Sequence, residues 1–257
     1  MKLIRDLDDW RRWRASQHSR RLGFAPTMGA LHAGHAALVR RSLAECEATV
    51  VSIFVNPTQF DDPADLAAYP QVLEADLDLL RGLGVAAVLA PSAEAIYPDG
   101  YHYRLSEDSL SRRFCGAHRP GHFDGVLTVV MRLLNLVRPW RAYFGEKDYQ
   151  QMRLVQGMAE AFFMDVEVIA CATERDADGL ALSSRNRRLS ETQRQLAATL
   201  PLALRESRTA EAARQRLESA GFEVDYVADF EQRRLAAVRL GATRLIDNVP
   251  LGLHRHD

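Results

Sequence analysis

The chain has 257 residues, 47% of them apolar, and a formal net charge of -1 at pH 7. A chain of this length buries roughly three-quarters of its unfolded surface, as one large domain or two unequal ones. The near-neutral charge excludes a dedicated nucleic-acid or membrane-surface binder, which needs a strong long-range field. The opening MKLIRDLDDWRRW carries acids and lacks the apolar middle of a signal peptide, and no apolar run is long enough to span a bilayer. Cys46, Cys115 and Cys171 are odd in number and far apart, as expected of reduced thiols. These features predict a soluble cytoplasmic protein.

In chain order, the basic run Arg11, Arg12, Arg14, Arg20 and Arg21 reads as the solvated face of a first helix. Leu22 to Ala25 is a short apolar strand, and Ala36 to Cys46 reads as a helix. Thr49 to Val55 is a β-branched apolar run, as expected of a strand buried on both faces. Val72, Leu73, Leu77, Leu80 and Leu83 recur at helical spacing until Gly84 breaks the pattern, and Val85 to Ala90 is a further strand. Gly125 to Val137 carries a broad apolar helical stripe that Pro139 ends. A strand over Ala142 to Phe144, a helix over Tyr149 to Phe162 and a strand over Val166 to Ala172 complete the series.

Repeated βα alternation implies a doubly wound parallel sheet with helices on both faces, a Rossmann-like α/β architecture. After Thr173 the composition changes, and Glu174 to Arg188 reads as a polar loop or hinge. Ser190-Glu191-Thr192-Gln193 has the spacing of a capping box and starts a helix. Helices to about Ala220, a strand near Phe222 to Val227, another helix, and a strand over Thr243 to Asp247 form a smaller α+β domain. The expected division is residues 1–173 and 174–257.

The polar motifs fall where such a sheet binds ligands, beyond the carboxyl ends of its strands. Pro26-Thr27-Met28-Gly29-Ala30-Leu31-His32-Ala33-Gly34-His35 follows the first strand of the alternation. It places two imidazoles at a helix start, beside backbone N–H groups with no intrahelical partner. The helix dipole and the flanking glycines suit that turn to phosphate. Asn56-Pro57-Thr58-Gln59-Phe60, Gly145-Glu146-Lys147-Asp148-Tyr149-Gln150-Gln151 and Asp178-Gly179-Leu180-Ala181-Leu182-Ser183-Ser184-Arg185-Asn186 follow later strands. Together they supply cations and hydroxyls for an anion, with neutral amides for a small polar substrate.

These motifs, in this order and over nearly the whole chain, resemble the pantothenate synthetase (pantoate–β-alanine ligase) family. PTMGALHAGHAALV, FVNPTQF, the Tyr-Pro at Tyr69, RPGHFDGVLTVV, YFGEKDYQQ, DGLALSSRNRRL and TRLIDN carry the resemblance. FGEKDYQQ with DGLALSSRN is specific; the HxGH pattern by itself marks a broader group of nucleotidyl-transferring enzymes. The resemblance implies ATP-dependent condensation of pantoate with β-alanine through a pantoyl adenylate, giving pantothenate, AMP and pyrophosphate. Mg²⁺ would bridge the phosphates, with no protein ligand identified.

The resemblance also implies roles for particular residues. His32, His35 and Lys147 are the expected catalytic groups. Met28, Gly29, Ala30, Leu31, His32, Ala33, Gly34 and His35 line the ATP site, with Gly145, Glu146, Lys147, Asp148, Glu174, Leu182, Ser183, Ser184 and Arg185. Gln59, Gln151 and the neighbouring Asn56 are expected to hold pantoate and β-alanine. Arg119 to Phe123 falls in a loop near the active cleft, and a homodimer without nucleic-acid or membrane partners is implied.

The chain departs from the family pattern at several positions. Glu174 replaces a small apolar residue, Gln71 stands where arginine commonly follows Tyr-Pro, and Trp140 replaces an acid. The C-terminal domain reads as short between Ala220 and Leu240. The Cys115, His118, His122 spacing lacks the fourth ligand of a structural zinc site. No P-loop or GxGxxG fingerprint follows a strand. The alternatives are an HxGH enzyme adenylating a different small acid, a tRNA-synthetase relative, and a catalytically silent protein of the same fold.

Overall fold

Alternating apolar strands and amphipathic helices build one parallel sheet from the first two-thirds of the chain. The computed structural model describes residues 1–252. Six strands form this sheet: β1 (Lys2–Ile4), β2 (Leu22–Thr27), β3 (Ala48–Ile53), β4 (Ala87–Leu89), β5 (Arg141–Gly145) and β6 (Glu167–Cys171). Their order is β1-β4-β3-β2-β5-β6, and every pairing is parallel. From β2 the chain moves outward through β3 and β4, whereas β5 and β6 add on the other side of β2. The order therefore reverses between β2 and β5, the place where open α/β sheets form a ligand crevice.

Residues of β2 and β3 such as Phe24, Ala25, Val50 and Val51 are fully buried, which explains their uninterrupted apolar sequence. Leu38, Val39, Leu77 and Leu80, on the helices Ala33–Glu45 and Leu73–Leu83, pack in one cluster with Val51, Val88 and Tyr143. Gly84 caps the second helix in the left-handed region, at φ 88°. The helix His122–Val137 stops before Pro139 at Arg138, whose φ is 44°. Trp140 lies beneath two guanidinium groups, Arg21 at 4.8 Å and Arg141 at 4.1 Å from its ring centre.

A second unit begins at Ala172 and also includes Glu146–Tyr149. It carries an antiparallel sheet of β7 (Glu223–Phe230), β8 (Arg233–Leu240) and β9 (Thr243–Pro250), in that order. The helices Glu191–Ala197, Thr199–Glu206 and Ala210–Ser219 precede it, and Ser190 opens the first with the expected capping box. Leu200, Leu204, Leu217, Phe222, Val238 and Leu245 form this unit's core.

Two expectations are corrected. The helix expected after Val227 is the strand β8. Its sequence RRLAAVRL favours a helix locally, yet β8 pairs with β7 on one side and β9 on the other. Leu235 to Val238 are buried in succession, so the alternation that signals a half-buried strand is missing. Arg234, 2% exposed, is answered by Asp229 and by the carbonyls of Leu204, Ser207 and Arg208.

The second correction concerns a single break after residue 173. Glu146–Tyr149 groups with the second unit because Asn248 donates to the Glu146 and Lys147 carbonyls, and Tyr149 bonds Glu231. Residues 253–257, part of the expected C-terminal domain, lie outside the described residues. No helix among the described residues is long and apolar enough to cross a membrane.

Candidate active site

The turn after β2 is built by backbone conformation and one buried carboxylate. Gly29 (φ 80°) and Ala30 (φ 51°) are consecutive left-handed residues, which reverses the chain and turns successive N–H groups the same way. Asp76, on the helix Leu73–Leu83 and 3% exposed, accepts from Ala30 N at 2.8 Å and Leu31 N at 2.7 Å. A β-carbon on Gly29 would lie 2.9 Å from Asp76 Oδ2, so glycine lets that carboxylate approach. Thr27 Oγ1 accepts from Gly29 N and donates to Ser52 O.

Asp76 was not among the expected site residues. Its sequence signal is an acid on the apolar face that Leu73, Leu77 and Leu80 define.

His32 is the N-cap of the helix Ala33–Glu45, and its Nδ1 accepts from Gly34 N at 3.1 Å. His35 Nδ1 accepts in turn from His32 N at 3.3 Å. With both Nδ1 atoms accepting from the backbone, each neutral ring carries its proton on Nε2. The ring centres are 4.1 Å apart. Two N–H donors are thus held side by side at a helix N-terminus, where the dipole favours an anion. Ala30 and Leu31 have buried side chains, so what they offer a ligand is backbone.

The turn after β3 presents an oriented amide. Asn56 is 1% exposed, and its Oδ1 accepts from Tyr97 Oη at 2.5 Å and Thr58 Oγ1 at 3.0 Å. Its Nδ2 donates to Gln59 Oε1 at 3.0 Å and to Gly125 O at 3.2 Å. All four positions of the amide are used within the protein, and one of them orients Gln59. Because Gln59 Oε1 accepts from Asn56, its Nε2 faces the other way, 3.2 Å from Met28 Sδ.

Burial pushes the Tyr97 hydroxyl up to about 12, so it remains a proton donor throughout the physiological range. Gly125 leaves room for this turn; a β-carbon there would lie 2.3 Å from Thr58 O.

The Gln59 carbonyl is held by His122, at the start of the helix His122–Val137, and by Arg119 just before it. It accepts from His122 Nδ1 at 2.7 Å and from Arg119 Nη2 at 3.2 Å. Arg119 also pairs with Asp61 at 2.8 Å. Burial raises the Asp61 pKa, but the bond and charge of Arg119 outweigh it and hold the carboxyl below its usual value. Among the described residues no group of three His, Cys, Asp or Glu side chains could hold a metal ion.

We expect Tyr97→Phe, which removes one donor to Asn56 Oδ1, to lower stability by about 0.5–1.5 kcal/mol, read as a lowered Tm in thermal denaturation.

Gln151 is half-buried in the first turn of the helix Tyr149–Ala161, and Gly145 ends β5; both belong to the first unit, with residues 28–35 and 56–59. Glu146, Lys147, Asp148, Glu174, Leu182, Ser183, Ser184 and Arg185 belong to the second. There Lys147 Nζ lies 3.7 Å from the Asp148 carboxylate. Residues 174–182 form a small hairpin, with Leu182 N donating to Glu174 O and Arg175 bridged to Ala181. Glu174 therefore serves this turn through its backbone, while its side chain is exposed. Ser183 caps the following 3₁₀ turn Ser184–Arg188, its Oγ accepting from Arg185 N at 3.3 Å.

The model of a family described as pantoate-beta-alanine ligase matches residues 2–250. Pantothenate synthetase of Bdellovibrio bacteriovorus is 50% identical, across 97% of this chain and 99% of the relative. That of Coxiella burnetii is 49% identical, across 97% and 96%. A pantoate-beta-alanine ligase structure from Francisella tularensis, complexed with beta-gamma ATP and beta-alanine, is 38% identical. It superposes with a TM-score of 0.93 over 98% of both chains. The pantothenate synthetase of Thermus thermophilus gives 0.91 at 40% identity, over 98% of this chain and 99% of that one.

Proposed function

The chain belongs to the pantoate–β-alanine ligase family, and from that membership we propose how its residues divide the work of an ATP-dependent, amide-forming ligase. The enzyme joins pantoate to β-alanine in two steps. A pantoate carboxylate oxygen attacks the α-phosphorus of ATP, the bond to the bridging oxygen breaks, and pyrophosphate leaves with the electron pair. The β-alanine nitrogen then attacks the carbonyl carbon of pantoyl adenylate. The carbon–oxygen bond to phosphate breaks, AMP leaves, and the nitrogen loses a proton to solvent.

Negative charge gathers on the phosphate oxygens in the first step, and fixed donors that meet it lower the barrier. His32 and His35 are assigned that role, donating from Nε2 because each Nδ1 accepts a backbone N–H. Lys147, Ser183, Ser184 and Arg185 hold the triphosphate, Gly145, Glu146 and Asp148 the nucleoside. Backbone at Met28 to Leu31, Glu174 and Leu182 completes the nucleotide contacts. Gln59 donates from Nε2 to pantoate, oriented by Asn56, and Gln151 supplies a second amide. Magnesium would accompany the ATP substrate and offset phosphate charge, and no side chain of this chain is assigned to it. The working enzyme on this reading is a cytoplasmic homodimer, a state that sedimentation of the purified chain tests.

The observation that supports this assignment best is the pair of imidazoles capping one helix with both Nδ1 atoms engaged. Pyrophosphate exchange into ATP with and without pantoate tests it. Dependence on pantoate is expected; exchange indifferent to pantoate would favour an HxGH enzyme acting on another acid.

A further inference from the structure

Two adjacent residues of β9, Asp247 and Asn248, connect the second unit's two loops to which nucleotide contacts are assigned. The Asn248 amide donates from Nδ2 to Glu146 O at 2.7 Å and to Lys147 O at 3.0 Å. Its Oδ1 accepts from Arg233 Nε at 2.5 Å, and Arg233 Nη1 also reaches the Glu146 carboxylate at 3.3 Å. Asn248 therefore grips the backbone of the lysine turn directly, and the Glu146 side chain through one guanidinium.

Asp247 acts on the other loop. Its side chain is fully buried and bonds both terminal nitrogens of Arg175, at 2.7 and 2.9 Å. The same guanidinium donates to Gly179 O at 2.9 Å and Asn248 O at 3.0 Å. Gly179, at φ 87°, is the tip of the hairpin that leads into Ser183–Arg185. The circuit closes because Asp247 Oδ1 also accepts from Asn248 N at 2.7 Å.

We propose that Asp247 and Asn248 are positioning residues for nucleotide binding, fixing the Lys147 turn and the Ser183–Arg185 loop to one strand so that their donors keep a set separation. The proposal rests on the ligase reading for the identity of the nucleotide. Neither residue contacts substrate; each acts through backbone that others present. A sheet strand suits the task, because β9 is hydrogen-bonded along its length to β8 and so moves little.

Asn248→Asp in the full-length protein tests this with almost no change in volume. A carboxylate cannot donate to the two carbonyls, and its charge repels them. KM for ATP in the exchange reaction should rise about tenfold, and that for pantoate by less than about twofold. In a Lys147→Ala background the same change should raise KM for ATP by less than about twofold, since its effect passes largely through that turn. Asn248→Ala, which removes the donor without adding charge, provides the reading if the aspartate variant does not fold.

An unchanged KM for ATP in a folded Asn248 variant overturns the proposal. So does an equal rise in both substrates' KM that Leu245→Ala, a core-thinning control on the same strand, reproduces. Titration of ATP by calorimetry keeps the two readings distinguishable. Loss of pantoate dependence in the unaltered protein refutes the ligase reading, whereas ATP affinity insensitive to Asn248 refutes only the positioning role.

Discussion

His35→Ala lowers the rate of pantoate-dependent pyrophosphate exchange by about a hundredfold or more, the loss expected when one positioned donor is removed from a charge-accumulating transition state. The effect should fall on kcat, because charge on the phosphate oxygens is greater in the transition state than in bound ATP. A structural cost accompanies it. His35 Nδ1 accepts from the backbone N–H of His32, so alanine also removes half of the capping box. Loss of a cap costs about 0.5–2 kcal/mol, visible as a lowered Tm. His35→Gln separates the two effects only in part, since an amide does not reproduce the imidazole's Nδ1 acceptor and Nε2 donor in the same geometry. The decisive comparison is therefore kcat at a temperature where both variants are fully folded by circular dichroism. If kcat is retained there, His35 does not meet the developing charge.

Asp76→Ala is the second change of large expected effect, and it acts without touching substrate. Alanine leaves the buried N–H groups of Ala30 and Leu31 without their acceptor, each at about 1–3 kcal/mol. Those two residues join the left-handed pair Gly29–Ala30 to the histidine cap, so the loop loses its anchor at its most strained point. Thermal denaturation should show a clear fall in stability, and exchange activity should fall with rising KM for ATP. Asp76→Asn is the milder companion. It keeps one acceptor oxygen but turns an NH₂ group toward the second N–H. An Asp76→Ala protein of unaltered stability and activity would mean that the loop holds its shape without the carboxylate.

Long periodic segments were legible in the sequence because each satisfies its own hydrogen bonds and reveals its buried face at short range. The helices at Leu73–Leu83 and His122–Val137 are of this kind; the strands β2 and β3, which bond to neighbouring strands, were legible from their uninterrupted apolar runs. The motif loops were legible for a related reason. Two histidines at a helix start, a lysine turn and a serine–arginine turn announce their chemistry by residue type alone. The strand β8 was not legible, since RRLAAVRL prefers a helix until two neighbouring strands claim its backbone.

Residue type, order and spacing thus determined the parallel α/β architecture, the family and the identity of the expected catalytic groups. What only the tertiary structure decided is how those groups are held. Asp76 lies 45 and 46 positions from the amides it grips, and Tyr97 lies 41 from the asparagine it orients. Asn248 is about 100 residues from the lysine turn. Each is an ordinary polar residue until folding brings a distant backbone group within hydrogen-bonding reach and excludes the water that would otherwise satisfy it. That exclusion makes the bond obligatory, and it exists only in three dimensions.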